Sequence, residues 1–459
     1  MIRSSNLSDE AILELINNGN TSECEIDFDV SGDEDYGIPD PLGVHNDISM
    51  DINELLEEND KYFSQFSNSN INIEDLVVEL NTESSNMFMS TLGYPRMRMY
   101  WQKRTRVPTV SNSISRDRFL VIRKFLKVVN DDDISNEKKR DAFWKVRPFI
   151  ESVRSGCLRL VRDVELCIDE QMIPFTGNVK MKQFVRGKPN PTGLKNFVLA
   201  NKNGLVLDFC IYQGKGTTFE TNSEYLLTIG ESAVVHLSQT VPPGSCLYFD
   251  RFFTTQKLLD ILKQKKIVCT GTVMKNNIPK NIDILSDKIL MKKPRGTSVQ
   301  YVREDKKLCL VKWFDNKPIH LLSTENGSTP HSKCKRWDNK NKKRIEVPIP
   351  QIIKNYNDYM GGVDLCDRMI SFYRMKTRTN KWTIRAIFHL IDLAVVNSWI
   401  MYKQDQIRKE VPVKKIHQLL DFKIQLSSEL LEYDENSIDY QKYSGRHNSL
   451  PSKEKRHKG

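Results

Sequence analysis

Between residues 164 and 275, apolar runs of strand length alternate with segments that have helical spacing. The runs VELCI, KNFVLAN, LVLDFCIYQG, SCLYFD and IVCTGTV predict strands, while residues 223–239 and TTQKLLDILKQK predict helices. Lys202, Asn203 and Gly204 separate the second and third runs and are typical of a hairpin turn. This order predicts an α/β fold in which helices pack on one sheet.

Two acids follow strands of this pattern. Asp169 comes directly after VELCI, and Asp250 ends SCLYFD. If the fourth strand pairs parallel to the first, both carboxylates lie side by side at one edge of the sheet. A carboxylate in that place is desolvated on one side and needs a partner. Taken alone, these residues leave the partner open between a basic side chain, a backbone amide and a metal ion.

A third acidic element lies in YNDYMGGVDLCDRM, where a helix is predicted to begin after two glycines. Asp364 and Asp367 are three positions apart and share one face of that helix, which can bring Asp364 to Asp169 and Asp250. Three like charges repel unless a cation lies between them, and oxygen ligands without His or Cys favour Mg²⁺ or Mn²⁺. Two such ions can activate a water or a 3′-hydroxyl and stabilise the leaving oxygen of a phosphodiester.

The charge distribution agrees with a polyanionic partner. Residues 1–80 contain 20 Asp and Glu residues but only Arg3 and Lys61 as basic residues, whereas the other 379 residues carry a net charge of +28. A body this basic is expected to bind nucleic acid or an acidic membrane surface.

Cysteine spacing and hydropathy argue against a zinc site and against a membrane-spanning segment. The nine cysteines form no CxxC pair, so we expect reduced thiols and no zinc. The most apolar window, residues 386–402, is interrupted by His389, Asp392 and Asn397. That window predicts a buried helix rather than a membrane span.

Several blocks of the chain resemble those of the piggyBac transposases and the domesticated proteins derived from them. They occur in the family's order between about Met87 and about Tyr402, and their number makes the resemblance specific. The blocks are IDEQMIPFTG, KPNPTGLKNFVLA, LDFCIYQGKG, YFDRFFTT, VCTGTVMKN, LLST, YMGGVDLCDRM and RTNKW.

The resemblance implies an RNase H-like catalytic domain, that is, a mixed sheet flanked by helices, with three essential aspartates. These match Asp169 in IDEQ, Asp250 in YFDRFF and Asp364 in GGVD, which would bind two Mg²⁺ or Mn²⁺ ions. Asp367 matches a further active-site aspartate. The resemblance also implies an α-helical DNA-binding and dimerisation domain built from segments on both sides of the core, and a small insertion domain.

These features predict seven segments along the chain. They are an acidic, mostly disordered tail (1–84), a first helical DNA-binding part (85–163), the catalytic core (164–275), the insertion domain (276–349), the helix that carries the third aspartate (350–375), a second helical part (376–430) and a polar basic tail (431–459).

Basic residues around these elements are candidates for contacts with DNA. RMRMYWQKRTR, residues 96–106, interleaves basic residues with Tyr100 and Trp101, a composition that favours phosphate contact with stacking, although a solvated surface has the same composition. Trp382 in the NKW block matches a tryptophan near the active site in the family, whereas an aromatic residue that opens a buried helix is usually core, and we weigh these two interpretations equally. The candidate DNA-binding residues are Arg104, Arg106, Arg116, Lys124, Lys182, Arg186, Lys188, Lys195 and Trp382.

One feature departs from the family pattern. Active members usually end in a cysteine-rich zinc module, but no cysteine follows Cys366 here. The departure is compatible with a truncated copy, a domesticated gene or a member that recognises DNA in another way.

The sequence therefore predicts a metal-dependent DNA transposase with TTAA as the target that the resemblance implies. The alternative is a domesticated nuclear DNA-binding protein without transposition activity. Expected partners are double-stranded DNA and a second copy of the chain, with no membrane and no small-molecule substrate. The basic cluster at 334–344 and the DNA substrate predict a nuclear location.

Overall fold

The structure is a computed structural model that describes residues 73–432, apart from 132–133, 215, 220, 222–225, 279–281, 339–340 and 377–378, and without the side chains of residues 73–82. Residues 73–183 and 192–432 belong to one compact unit, and Phe184–Pro191 belong to another. Of the predicted acidic tail (1–84), residues 73–84 are described and lie in the helix Ile73–Leu92, so the expectation of disorder was wrong for them. Residues 1–72 of that tail and residues 433–459 of the predicted basic tail lie outside this description.

The helices and strands are numbered in chain order. The helices are α1 (Ile73–Leu92), α2 (Pro108–Ser113), α3 (Arg116–Phe125), α4 (Arg147–Leu158), α5 (Ile229–Leu237), α6 (Gln256–Gln264), α7 (Asp287–Leu290), α8 (Gln351–Tyr359), α9 (Gly362–Phe372), α10 (Trp382–Arg408) and α11 (Leu419–Glu432). The strands are β1 (Glu165–Pro174), β2 (Gln183–Phe184), β3 (Thr192–Asn201), β4 (Val206–Ile211), β5 (Cys246–Phe249), β6 (Val268–Thr272), β7 (Ser298–Val302), β8 (Cys309–Phe314), β9 (Pro318–Ser323), β10 (His331–Asp338) and β11 (Lys343–Pro350).

The central sheet has the strand order β4-β3-β1-β5-β6-β9-β8-β7. β5 pairs parallel with both β1 and β6, and the other neighbours in this order are antiparallel. The hairpin of β3 and β4 turns at Gly204, whose φ of +84° is a conformation that glycine adopts without strain. The predicted order of strands and helices in the core is confirmed.

The strands of the insertion extend this sheet. β9 pairs with β6, and β8 and β7 follow it outward. The apolar segments KLCLVKWF and PIHLLST contain β8 and β9. β10 and β11 form a separate antiparallel ribbon.

Strand β1 lies inside the sheet and is buried along nearly its whole length. Leu166 and Ile168 are fully buried, as expected for a strand covered on both faces. The same strand also buries Asp169, Glu170 and Gln171. Burying a polar group without a partner destabilises the fold, so these three residues indicate a candidate functional site in this part of the sheet.

One local prediction was wrong. β1 does not end at Asp169 but continues to Pro174, because it stays paired with β3 over that length. Helix α4 begins at Arg147 and has Pro148 in its first turn, where proline is tolerated.

The buried helix predicted at residues 386–402 is confirmed and lies within α10. By length and composition it could cross a membrane, but 67% of its most apolar window is buried inside the protein. Its buried polar residues have partners: Asn397 Nδ2 donates to the carbonyl of Val206 at 2.8 Å, and Asn397 Oδ1 accepts from the Val206 amide at 2.9 Å.

A buried ion pair joins α10 to α11. Lys423 Nζ donates to Asp392 Oδ1 at 2.8 Å and to the carbonyl of Tyr373 at 2.6 Å, and Asp392 Oδ2 accepts from the Met375 amide at 2.9 Å. Burial raises the pKa of Asp392, an effect that the charge of Lys423 opposes. The pair therefore fixes the loop after α9 between two helices.

We predict that Lys423→Met lowers the free energy of unfolding by about 3–5 kcal/mol, because it leaves Asp392 buried without its cation. The matched control is Lys409→Met, which removes the exposed pair with Asp405 (2.7 Å) and should cost under about 1 kcal/mol. Urea unfolding of both variants measures the difference. Equal losses would show that the buried pair is not what holds α11 to α10.

Candidate metal centre

The register between β1 and β5 places two carboxylates side by side. The parallel ladder runs from Glu165 opposite Cys246 to Ile168 opposite Phe249, so Asp169 and Asp250 are the next residues on each strand. This parallel pairing meets the condition under which the sequence placed the two carboxylates side by side. Asp250 leaves the sheet in a turn, where its Oδ1 accepts the backbone N–H of Phe252 at 2.8 Å.

The third carboxylate at this point is Glu170, which the sequence analysis did not select. Carboxylate oxygens of Asp169, Glu170 and Asp250 all lie within 4.8 Å of one another. Asp169 and Glu170 are each only 8% exposed. Neighbouring side chains of a strand point to opposite faces of the sheet, so the strand pattern predicts that Glu170 and Asp169 lie on different faces. The adjacent acids in IDEQ were the available signal.

The chemistry of this cluster fits a divalent cation. At an effective dielectric constant of about 20, two unit charges at this separation repel by roughly 3 kcal/mol, and the cluster contains three such pairs. Glu170 Oε2 is buried and has no hydrogen-bond partner. A cation bound between Asp169, Glu170 and Asp250 would offset the repulsion and complete the coordination of that oxygen. The donors are oxygen only, which favours a hard ion.

Helix α9 packs against β1 and β3 and carries the other predicted acids. Asp364 lies exposed in its first turn and is not one of the three clustered residues. Burial, with smaller contributions from the charges of Asp169 and Asp364, raises the pKa of the Cys167 thiol to about 12. The role of Asp364 as a metal ligand stays a prediction.

Asp367, one turn further along α9, is tied to β1 directly. Its Oδ1 accepts the side-chain amide of Gln171 at 2.8 Å. Gln171 follows Asp169 by two positions and so faces the same side of the sheet. The structure thus places Asp367 over the strand that carries Asp169, and its role at the site stays a prediction.

The comparisons with known proteins identify the family. Residues 84–399 match the transposase family described as Transposase IS4. PiggyBac transposable element-derived protein 3 of Homo sapiens is 33% identical over an alignment of 362 residues, which covers 72% of this chain and 60% of that protein. The chain belongs to the piggyBac-type transposase family.

A second relative and a solved structure agree. PiggyBac transposable element-derived protein 2 of Homo sapiens is 29% identical over 363 residues, covering 77% of this chain and 59% of that protein. The chain thus spans about 60% of the length of these two relatives. The cryo-EM structure of a piggyBac transposase synaptic complex with hairpin DNA superposes with a TM-score of 0.64 at 23% identity, covering 77% of this chain and 71% of that one. The piggyBac-type core therefore has the RNase H-like fold that the sequence predicted.

The candidate DNA-binding residues have different surroundings. Lys195 is 8% exposed, and its Nζ lies over the rings of Phe252 (4.0 Å) and Phe197 (5.0 Å). Because Phe252 follows Asp250 in the same turn, Lys195 packs against the loop that carries this acid. Lys182 Nζ donates to the carbonyl of Gly177 at 2.9 Å. Phosphate contact by these lysines stays a prediction.

The remaining candidates lie outside the carboxylate cluster. Trp382 packs edge-on against Phe143 (5.5 Å between ring centroids) and is partly buried, which favours a packing role. The exposed basic residues are Arg104, Arg106, Arg116 and Lys124 in the helical part, and Arg186 in the separate segment that also contains the half-buried Lys188.

The aromatic residues of RMRMYWQKRTR pack into a small helical cluster with Met89, Ile114 and Phe119. Tyr100 is 3% exposed and donates its hydroxyl to the carbonyl of Met89 at 2.6 Å. Trp101 is half-buried, donates its indole N–H to the carbonyl of Ile114 at 2.8 Å and packs on Phe119. The stacking on bases predicted for this segment is therefore wrong for Tyr100, because its ring is in the core of the cluster.

The two glycines before Asp364 allow a matched test of how closely α9 must approach the sheet. A Cβ at position 362 would lie 2.1 Å from the carbonyl oxygen of Asn201 and 2.9 Å from the sulfur of Cys167, whereas a Cβ at position 361 would meet nothing within 4 Å. We predict that Gly362→Ala lowers the free energy of unfolding by about 1–3 kcal/mol and that Gly361→Ala changes it by less than about 0.5 kcal/mol. Urea unfolding of both variants decides it, and equal stabilities would contradict the described contact of α9 with β1 and β3.

Proposed function

We propose that this protein is a metal-dependent DNA transposase that cleaves DNA strands and transfers their 3′ ends to target DNA. The observation that carries the proposal is the cluster of Asp169, Glu170 and Asp250, the first two of them buried, at the end of the parallel β1–β5 ladder. The family assignment, and the DNA-bound state in which the related piggyBac transposase was solved, support DNA as the substrate.

The residues of this chain have separate tasks in that reaction. Asp169, Glu170 and Asp250 would hold Mg²⁺ or Mn²⁺, with Asp364 supplied from α9. When bound in such a site, divalent ions activate a water or hydroxyl nucleophile and stabilise the leaving oxygen of a phosphodiester. The turn after β5 fixes Asp250 through the Phe252 amide, and Lys195 packs on the Phe252 ring. The sheet therefore presents the acids already oriented.

Besides a metal site, the reaction requires that the protein bind DNA, and the basic residues of this chain attract it. With a net charge of +28 outside residues 1–80, phosphate contacts are expected to contribute most of the binding free energy and to weaken steeply with salt. The target sequence TTAA and a homodimeric state belong to the same proposal and rest on the family assignment.

A second candidate function is DNA binding by a domesticated protein without transposition. The two human relatives favour it, since both are named as transposable element-derived proteins. The buried acids favour the enzyme, because a protein that only binds DNA gains nothing from holding three carboxylates within 4.8 Å of one another.

The test is a nicking and strand-transfer assay on a plasmid that carries the genomic DNA flanking the gene on both sides. We predict Mg²⁺- or Mn²⁺-dependent nicking that EDTA abolishes, and a loss of about 10²-fold or more in Asp169→Asn and Asp250→Asn. The control is Glu304→Gln, which changes an exposed acid of the β7–β8 turn and should leave the rate unchanged.

Two outcomes would contradict the enzyme. Nicking that is equal in the wild type and in both aspartate variants would mean that the activity comes from elsewhere. DNA binding by the wild type without any metal-dependent nicking or joining would favour the domesticated protein.

A further inference from the structure

Four polar side chains from four different elements, three of them buried, meet between β1 and α9. Gln171 of β1 and Asn196 of β3 are fully buried, and His389 of α10 is 3% exposed. Asp367 of α9 completes this group, which we term the Gln171 network. The network lies in the protein core next to Asp169, yet none of its members is in the carboxylate cluster.

Hydrogen-bond chemistry fixes the orientation of Gln171. A carboxylate only accepts hydrogen bonds, so the atom of Gln171 that faces Asp367 Oδ1 at 2.8 Å must be the amide nitrogen. The amide oxygen then points the other way, where it accepts from Asn196 Nδ2 at 3.3 Å and lies 2.8 Å from His389 Nε2. The contacts with Asn196 and His389 therefore turn the amide group of Gln171 toward Asp367.

His389 is suited to act as a permanent donor in this position. Burial, together with the nearby charge of Arg374, lowers the pKa of His389 to about 3, so the ring is neutral at physiological pH and carries one N–H. Because the facing atom of Gln171 is an oxygen, that hydrogen is on Nε2. The other ring nitrogen, Nδ1, is buried without a hydrogen-bond partner, and so is Asn196 Oδ1.

The two orphaned atoms indicate that the network serves more than stability. Each buried polar atom without a partner destabilises the fold, and apolar residues of the same shape would avoid that cost. What the polar residues provide and apolar ones cannot is an oriented N–H directed at Asp367. Groups of this kind, hydrogen-bonded behind the acids of a site, orient those acids and tune what they bind.

We propose that Gln171 is a positioning residue: with its amide oriented by His389 and Asn196, it holds the carboxylate of Asp367 over the face of β1 that carries Asp169. The inference rests on the proposed function, because it gives the network a task in DNA cleavage. It predicts that Gln171 acts through Asp367, and that His389 acts through Gln171.

The first test is Gln171→Met, which keeps the length and apolar volume of the side chain and removes the donor to Asp367. We expect the single-turnover nicking rate per folded molecule to fall about 10–100-fold. DNA affinity and the fraction of folded protein should stay close to those of the wild type. The matched control is Gln264→Met at the exposed end of α6, which should leave all three measurements unchanged.

The second test uses His389 and remains readable if Gln171→Met folds poorly. His389→Gln retains an N–H near the position of Nε2 and should keep most of the nicking rate, whereas His389→Leu should lose about as much as Gln171→Met. The double variant Gln171→Met/His389→Leu should nick DNA within about twofold of the rate of Gln171→Met alone. His389 acts on Asp367 only through Gln171, so its loss has no further effect once the Gln171 amide is gone.

The outcomes separate this inference from the proposed function. If the wild type nicks DNA and the double variant loses the product of the two single losses in rate, the positioning role is overturned and the enzyme is left intact. The same holds if Gln171→Met loses nicking rate and DNA affinity in equal proportion. Equal rates for His389→Gln and His389→Leu would overturn the part assigned to His389. A folded wild type that binds DNA and Mn²⁺ but never nicks would overturn the proposed function and, with it, the task of Gln171.

Discussion

The parallel pairing of β1 with β5 is the constraint on which the site depends. Its register ends at Ile168 and Phe249, so the next residue on each strand is an aspartate, and the sheet itself brings Asp169 and Asp250 together. No long side chain or mobile loop has to close the distance. The elements α5 and α6, which lead into and out of β5, determine where that strand lies and thereby where Asp250 is presented.

Several contacts in the rest of the core hold the acidic side chains in position next to the apolar sheet. The Phe252 amide and the ring beneath Lys195 hold the Asp250 turn, and Gly362 lets α9 approach β1 closely enough to bring its acids over the strand. The Gln171 network anchors one of those acids from below. Such an arrangement is destabilising in isolation, since it concentrates negative charge and leaves Glu170 Oε2 without a partner. A bound cation reverses the sign of that interaction.

Sequence reasoning succeeded where local pattern determines structure. The alternation of apolar runs predicted the strand and helix order, and acids directly after two of those runs indicated the adjacent carboxylates. Features that depend on contacts between distant segments could not be predicted from the sequence. Glu170 was missed because alternation assigns it to the face opposite Asp169, and Gln171 and His389 were missed because they are 218 positions apart. Tyr100 was misjudged because basic neighbours suggested a nucleic-acid surface, whereas its ring is in the core of the small helical cluster.

The central claim is that the end of the β1–β5 ladder holds a divalent cation. Crystals of the full chain soaked in Mn²⁺ would test it directly through an anomalous difference map recorded at the manganese edge. We expect a peak between Asp169, Glu170 and Asp250, within coordination distance of their carboxylate oxygens, and the loss of that peak in Asp169→Asn. Manganese peaks only elsewhere on the protein, with this position empty at saturating Mn²⁺, would contradict it.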